Sequence, residues 1–164
     1  EVARLADHLV LMDAGKVVES GPIGEMLTRL DLSLAHRSDA EAIIEATVAE
    51  HDETYALTYL DFPGGRFTVT GSDIPIGEQV RLRVLARDVS LTRECQSGTS
   101  ILNIFPGIVD ELSEDSPARV TVRLTAAGVP ILSRITRTSA MALDLSSGKE
   151  VYVPVKRVAL LATR

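Results

Sequence analysis

Residues 77–91, GEQVRLRVLARDVSL, and residues 148–160, GKEVYVPVKRVAL, decide how this chain is read. Each stretch opens on a turn glycine, continues through alternating apolar and polar positions, and then carries a basic residue and a Val-x-Leu step. That alternation has the period of a half-buried strand. Gly77 and Gly148 are 71 residues apart, whereas Val89 and Val158 are 69 apart, so a two-residue difference is expected inside the strand. The recurrence predicts two similar units in tandem.

Other stretches obey the same rule. RFTVT (66–70) and RVTVRL (119–124) alternate in the same way, and Gly, Pro and Asp punctuate the gaps. From Ala40 onward the chain reads as all-β, in two units of roughly 60 residues with about five short strands each. Units of that size predict tandem small barrels of the OB type. TRECQSGTS (92–100) connects them, with Ser97 and Gly98 as linker and Thr99 to Asn103 as the expected first strand of the second barrel.

The first 35 residues follow a different pattern. Val2, Leu5, Ala6 and Leu9 have helical spacing, HLVLM and KVVES flank a DAG turn as a hairpin, and GPIGEMLTRL begins a helix. Pro22 stands early in that helix, where a missing N–H costs nothing. Ser33 to Asp39 reads as a linker. The expected organisation is therefore a short α/β tail over 1–35, a first barrel over 36–95 and a second over 96–164.

Composition bounds the function. With 164 residues, 45% hydrophobic and 24% charged, the chain has room for one ordinary domain or two small ones. No apolar run approaches the length needed to cross a bilayer. It starts at Glu1 with no visible signal peptide, so it is expected to be part of something longer. The single Cys95 rules out an internal disulfide and suits the cytosol. His8, His36 and His51 lack metal-ligand spacing and are read as structural. The net charge of −6 is uneven: −8 over residues 1–95 and +2 over 96–164. With 4% aromatics and no Trp, stacking platforms and a basic groove for nucleic acid are both missing. The second half can accept an anion that the first would repel.

EVARLADHLVLMDAGKVVESGPIGEML (1–27) resembles the stretch just after the switch histidine of ABC-transporter ATPases, in residues and in order of elements. TSILNIFPGIV, SRITRTSAMALDLSSGKEVYVPVK and RVALLA resemble the tandem molbindin-type, or transport-associated OB (TOBE), domain. Together they resemble the C-terminal part of the ATP-binding subunits of molybdate ABC importers. The fold so implied is mainly β: tandem OB-like barrels of molbindin/TOBE type behind a short α/β tail of an ATPase domain. Walker A, Walker B, signature motif and switch histidine are all missing from the sequence, so no catalytic residue and no metal or nucleotide cofactor is assigned to it. ATP and Mg²⁺ are expected to bind elsewhere in a full-length parent. His8 lies too far along the helix to be the switch histidine.

What the resemblance implies about a ligand is specific. Molybdate is a compact tetrahedral dianion, which needs several directed N–H and O–H donors and at least one cation. In the resembled family such sites lie at contacts between barrels. The matching positions here are Thr99, Ser100, Asn103, Thr136 and Lys156, with Arg157 beside Lys156. Where free-standing molbindins often carry Arg before the Asn, this chain has Leu102. In the first unit, Asp39, Glu41 and Glu45 replace the hydroxyls, and Arg87 at the Lys156 position is followed by Asp88. A site there is expected to be degenerate, or to depend on a partner's second unit. The implied role is a regulatory, dimerising, molybdate- or tungstate-binding domain. It would form homodimers through its barrels and join membrane permease subunits through the ATPase part, at the cytoplasmic face. Alternatives are the effector or storage domain of a molbindin-type protein, and the accessory domain of a sister importer for sulfate or a sugar.

Overall fold

The computed structural model describes residues 2–71 and 73–162. Its tail begins with a short helix α1 (Val2–Leu5), followed by the hairpin β1 (His8–Asp13) and β2 (Lys16–Pro22) and by α2 (Ile23–Thr28). The expected first helix is cut short because His8 and Leu9 pair with Pro22 and Gly21 across the hairpin. A 3₁₀ turn over Ser33–His36 leads out of the tail.

Two antiparallel units follow. The first holds β3 (Glu41–Asp52), β4 (Leu57–Phe62), β5 (Gly65–Thr70) and β6 (Gln79–Leu85). The second holds β7 (Asn103–Ser116), β8 (Arg119–Ala126), β9 (Val129–Thr136), a short α3 (Arg137–Ala142) and β10 (Glu150–Val155). The last strand, β11 (Ala159–Ala162), returns to the first unit and pairs with β6. The sheets thus run β11-β6-β3-β4-β5 and β10-β7-β8-β9.

The repeat is visible in the backbone. Gly77 and Gly148 both take left-handed φ, +92° and +86°, immediately before β6 and β10, a conformation that glycine adopts without a Cβ penalty. The two-residue difference, expected inside the strand, is shared: β6 is one residue longer than β10, and the other extra residue falls just after the strand. There Ala86–Asp88 coil into a 3₁₀ turn, whereas 156–158 after β10 form no helical turn. Thr99 to Leu102 likewise lies outside the ladder, and the second unit's first strand begins only at Asn103.

After that difference the two chain segments cross. The residues behind β10 become β11 and pair with β6. The residues behind β6 pair with β10, through bridges Val89↔Val155 and Thr92↔Tyr152. Each sheet is therefore completed by the other unit's trailing segment, and residues 159–162 lie with the first sheet although they follow the second.

One core runs through both units, from Ala42 and Val48 to Val153 and Val155. The chain's three phenylalanines meet at the junction: Phe67 lies 5.0 Å from Phe62 and 4.6 Å from Phe105, and Phe62 meets Phe105 edge-on at 5.5 Å. Such ring pairs add to the benefit of burial. Beside them the β4–β5 turn presses on the β8–β9 turn. A Cβ on Gly64 would lie 1.6 Å from the Ala127 carbonyl oxygen, against backbone that cannot swing aside.

The linker is pinned by charge. Arg134, with a buried side chain, donates to the carbonyls of Arg37 (2.6 Å) and Ala35 (2.9 Å) and faces Asp115 at 3.5 Å. His36 places Nδ1 2.6 Å from the Asp115 carboxylate and Nε2 2.6 Å from the Leu30 carbonyl. Both partners are acceptors, so the ring must carry both protons to satisfy them. The Leu30 carbonyl and then Asp115 hold the His36 pKa above its ordinary value, against burial and the nearby Arg134.

Two outcomes are expected from this packing. Gly64→Ala should destabilise the chain by about 1–3 kcal/mol through overpacking, lowering Tm by roughly 2–12 °C. An unchanged Tm would show that the two turns separate freely. A raised folded-state pKa makes the His36 contribution complete below the unfolded value near 6.5, and lost as pH rises through the folded value. Tm should therefore fall from about pH 6 to about pH 8 by more in the wild-type chain than in His36→Gln. Equal losses would remove His36 from the pH response.

Candidate functional site

Beyond the core, the crossing of the two segments builds a cavity. The Lys156 N–H donates to the Asp88 carbonyl at 2.9 Å, which sets Arg87-Asp88 alongside Lys156-Arg157. Strand β6 brings Arg83 to the same place, between Ile43 on β3 and Ala159 on β11. The lead into β7 adds Ser100 to Asn103. The enclosed space is about 590 Å³ and open to solvent, with apolar walls from Leu57, Val69, Leu85 and Val158. Four cations (Arg83, Arg87, Lys156 and Arg157) line it against one carboxylate, Asp88.

Of the six residues expected to hold an anion, four line this cavity: Ser100, Asn103, Lys156 and Arg157. Lys156 and Arg157 are exposed to solvent at its mouth. Asn103 is buried and already engaged. Its Oδ1 accepts from the Thr68 N–H at 2.7 Å and its Nδ2 donates to the Thr68 carbonyl at 2.8 Å. The side-chain amide thereby substitutes for a strand partner on β5 and shapes the wall. Thr99 turns away, its hydroxyl oxygen accepting from the Ile101 N–H at 3.2 Å. Thr136 stands apart at the far end of β9, where it caps α3 by accepting from the Ser139 N–H at 3.1 Å. An N-cap of this kind is the ordinary role of threonine before a helix.

Arg83 and Arg87 belong to the first unit, whose acids predict repulsion of an anion. Its three acids are each turned onto an arginine. Asp39 pairs with Arg37 at 3.2 Å, Glu45 with Arg81 at 3.3 Å and Glu41 with Arg83 at 3.7 Å. The signal was present in QVRLRVLAR (79–87), where Arg81 and Arg83 share a face under strand alternation. What sequence did not show is that Arg87 and Lys156, matched across the repeat, end up in one cavity of one chain.

Arg81 has another task. It is buried, and it donates to the carbonyls of Ala6 (2.7 Å) and Arg4 (3.4 Å) and pairs with Asp7. It thereby ties the tail to β6.

Comparison with known proteins agrees with this architecture. Residues 99–162 match the TOBE domain family. The chain is 53% identical over 161 residues to the molybdenum import ATP-binding protein ModC of Aromatoleum aromaticum, covering 98% of this chain and 43% of that protein. It is 49% identical to ModC of Methylococcus capsulatus (98% of this chain, 46% of that protein). With ModC 1 of Azotobacter vinelandii the identity is 48%, over 98% of this chain and 45% of that protein. The chain thus spans less than half the length of these relatives. Among solved structures, the cytoplasmic molybdate-binding protein ModG, with molybdate bound, superposes with a TM-score of 0.62 at 23% identity. That match covers 73% of this chain and 94% of ModG, and shows a shared fold. With residues 99–162 matching the TOBE domain and 98% of its own length similar to these relatives, the chain corresponds to the TOBE-bearing C-terminal part of the molybdenum import ATP-binding proteins.

Proposed function

We propose that this chain is the oxyanion-binding accessory part of the ATP-binding subunit of a molybdate ABC importer, and that molybdate or tungstate occupies the cavity between its two units. The observation that carries this reading is the convergence of Arg83, Arg87, Lys156, Arg157 and the Ser100 hydroxyl on one cavity. A dianion leaving water needs such a set of cations and directed donors, and an anion site of this kind requires no metal. The ModC relatives support the importer, and the ModG neighbour supports the choice of anion.

The remaining parts of the proposal follow from that assignment. ATP and Mg²⁺ belong to the portion of such a subunit that carries the Walker motifs, so this chain contributes no catalytic group. No helix among the described residues is long and apolar enough to cross a membrane, and contact with the permease subunits would run through the ATPase portion at the cytoplasmic face. Two copies would pair through the barrels, where Leu102, 65% exposed at the rim of the cavity, offers an apolar contact. Bound anion would regulate the transporter by favouring one spacing of the two copies, which requires a difference in anion affinity between the spacings.

Calorimetric titration with molybdate, tungstate, sulfate and phosphate tests the site. Molybdate and tungstate should bind alike, since they match in charge and nearly in size. Lys156→Ala should weaken binding by roughly 10- to 100-fold, the loss of a charged hydrogen-bond donor, and Ser100→Ala by a few-fold. Absence of heat with all four anions would overturn the assignment. Sedimentation of the chain with and without molybdate checks the dimer.

A further inference from the structure

Arg83 differs from the other buried or half-buried arginines in how little it touches. Its Nε is buried without a hydrogen-bond partner, and its one ionic neighbour, Glu41, lies at 3.7 Å, beyond hydrogen-bond reach. Arg123 also has an unpartnered Nε, yet its other nitrogens reach Glu25 at 2.8 Å and Asp110 at 3.4 Å. Arg81 and Arg134 are held by carbonyls and carboxylates. A guanidinium has five N–H donors in a fixed fork and is always charged. Arg83 lines the cavity with a side chain 42% exposed to solvent, and within it Nε is a buried donor that no protein acceptor meets.

The register explains the poor fit. Glu41 stands opposite Leu85, and Arg83 stands opposite Ile43, so the pair is a diagonal across β3 and β6. Diagonal neighbours meet only through extended side chains. The setting also disfavours the charge on Glu41. Its side chain is 20% exposed, and burial pushes its pKa above the usual carboxylate range, with Asp39 adding to that rise while Arg83 and Arg37 oppose it. The pair is therefore one in which a poorly placed carboxylate faces a guanidinium whose buried Nε it does not satisfy.

We propose that Arg83, contributed by the first unit, is a direct ligand of the oxyanion in this cavity, and that the Glu41 carboxylate is its internal competitor, so that bound anion and Glu41 exclude each other from the guanidinium. The proposal rests on the oxyanion reading of the same cavity. It makes the site a composite of both units within one chain, with Lys156 and Ser100 on one side and Arg83 on the other. It also gives Glu41 a function: the carboxylate keeps an unliganded arginine partly neutralised and sets the affinity threshold at which anion takes over.

The test is a double-mutant cycle read by calorimetric titration with molybdate, using the wild-type chain, Glu41→Gln, Arg83→Gln, the double variant and Lys156→Ala. Glu41→Gln should tighten binding by about tenfold and Arg83→Gln should weaken it by about tenfold or more, as removal of a charged competitor and of a charged donor. In the double variant the gain from Glu41→Gln should vanish, because Glu41 acts through Arg83. Arg83→Lys keeps the charge without the fork and should recover only part of the affinity, which separates direct ligation from a general field. Thermal unfolding of each variant shows that it is folded. If Lys156→Ala weakens binding while Glu41→Gln and Arg83→Gln leave it within about twofold of wild type, this inference fails and the oxyanion reading stands. If Glu41→Gln still tightens binding in the Arg83→Gln background, Glu41 repels the anion from a distance and the competition is wrong. If no chain in the set binds molybdate, both readings fall together.

Discussion

Everything in this molecule depends on the exchange of trailing segments between the two sheets. Val89 and Thr92 complete the second sheet while β11 completes the first, and the Lys156 N–H to Asp88 carbonyl contact marks where they pass. A sheet edge left open presents unpaired N–H and C=O groups and invites other chains to pair with it. Here the edges of β6 and β10 are closed from within, and closing them forces the two units into a single core that includes all three phenylalanines. The same crossing sets basic residues of both units side by side, so fold and cavity have one cause.

Much of this was legible in the sequence, and the residues show why. Gly77 and Gly148 announced the repeat because a left-handed turn before a strand favours glycine, and the alternation in 79–85 and 150–155 announced the strands. Strand β3 and the body of β7 were harder to read. Runs such as EAIIEATVAEHD mix acids with apolar residues on a long, bent strand, and the β3–β4 pairing slips register between Val48 and Glu50. The length of the first helix was overread, since helical spacing over Val2 to Leu9 competes with a hairpin that is decided by pairing partners 14 residues away, His8 with Pro22.

The candidate site was half legible. Ser100, Lys156 and Arg157, expected from likeness, line one cavity, whereas Thr136 caps α3 and Asn103 holds the edge of β5. Arg83 was invisible because nothing local distinguishes it from Arg81, two residues earlier on the same face. The difference is tertiary: Arg81 finds the tail, and among the described residues Arg83 meets Glu41 at 3.7 Å. Charge counted along the chain also leaves out the arginine that each acid of the first unit meets, close by in the chain for Asp39 and across β3 and β6 for Glu41 and Glu45.

The clamp formed by Arg81 has a mechanical meaning. The tail hangs from β6 by the carbonyls of Arg4 and Ala6 and by Asp7, and the next residue on that face of the strand is Arg83. Two strand residues span roughly 7 Å. The anchor of the tail and the cavity-lining Arg83 therefore sit on one strand, a single pleat repeat apart.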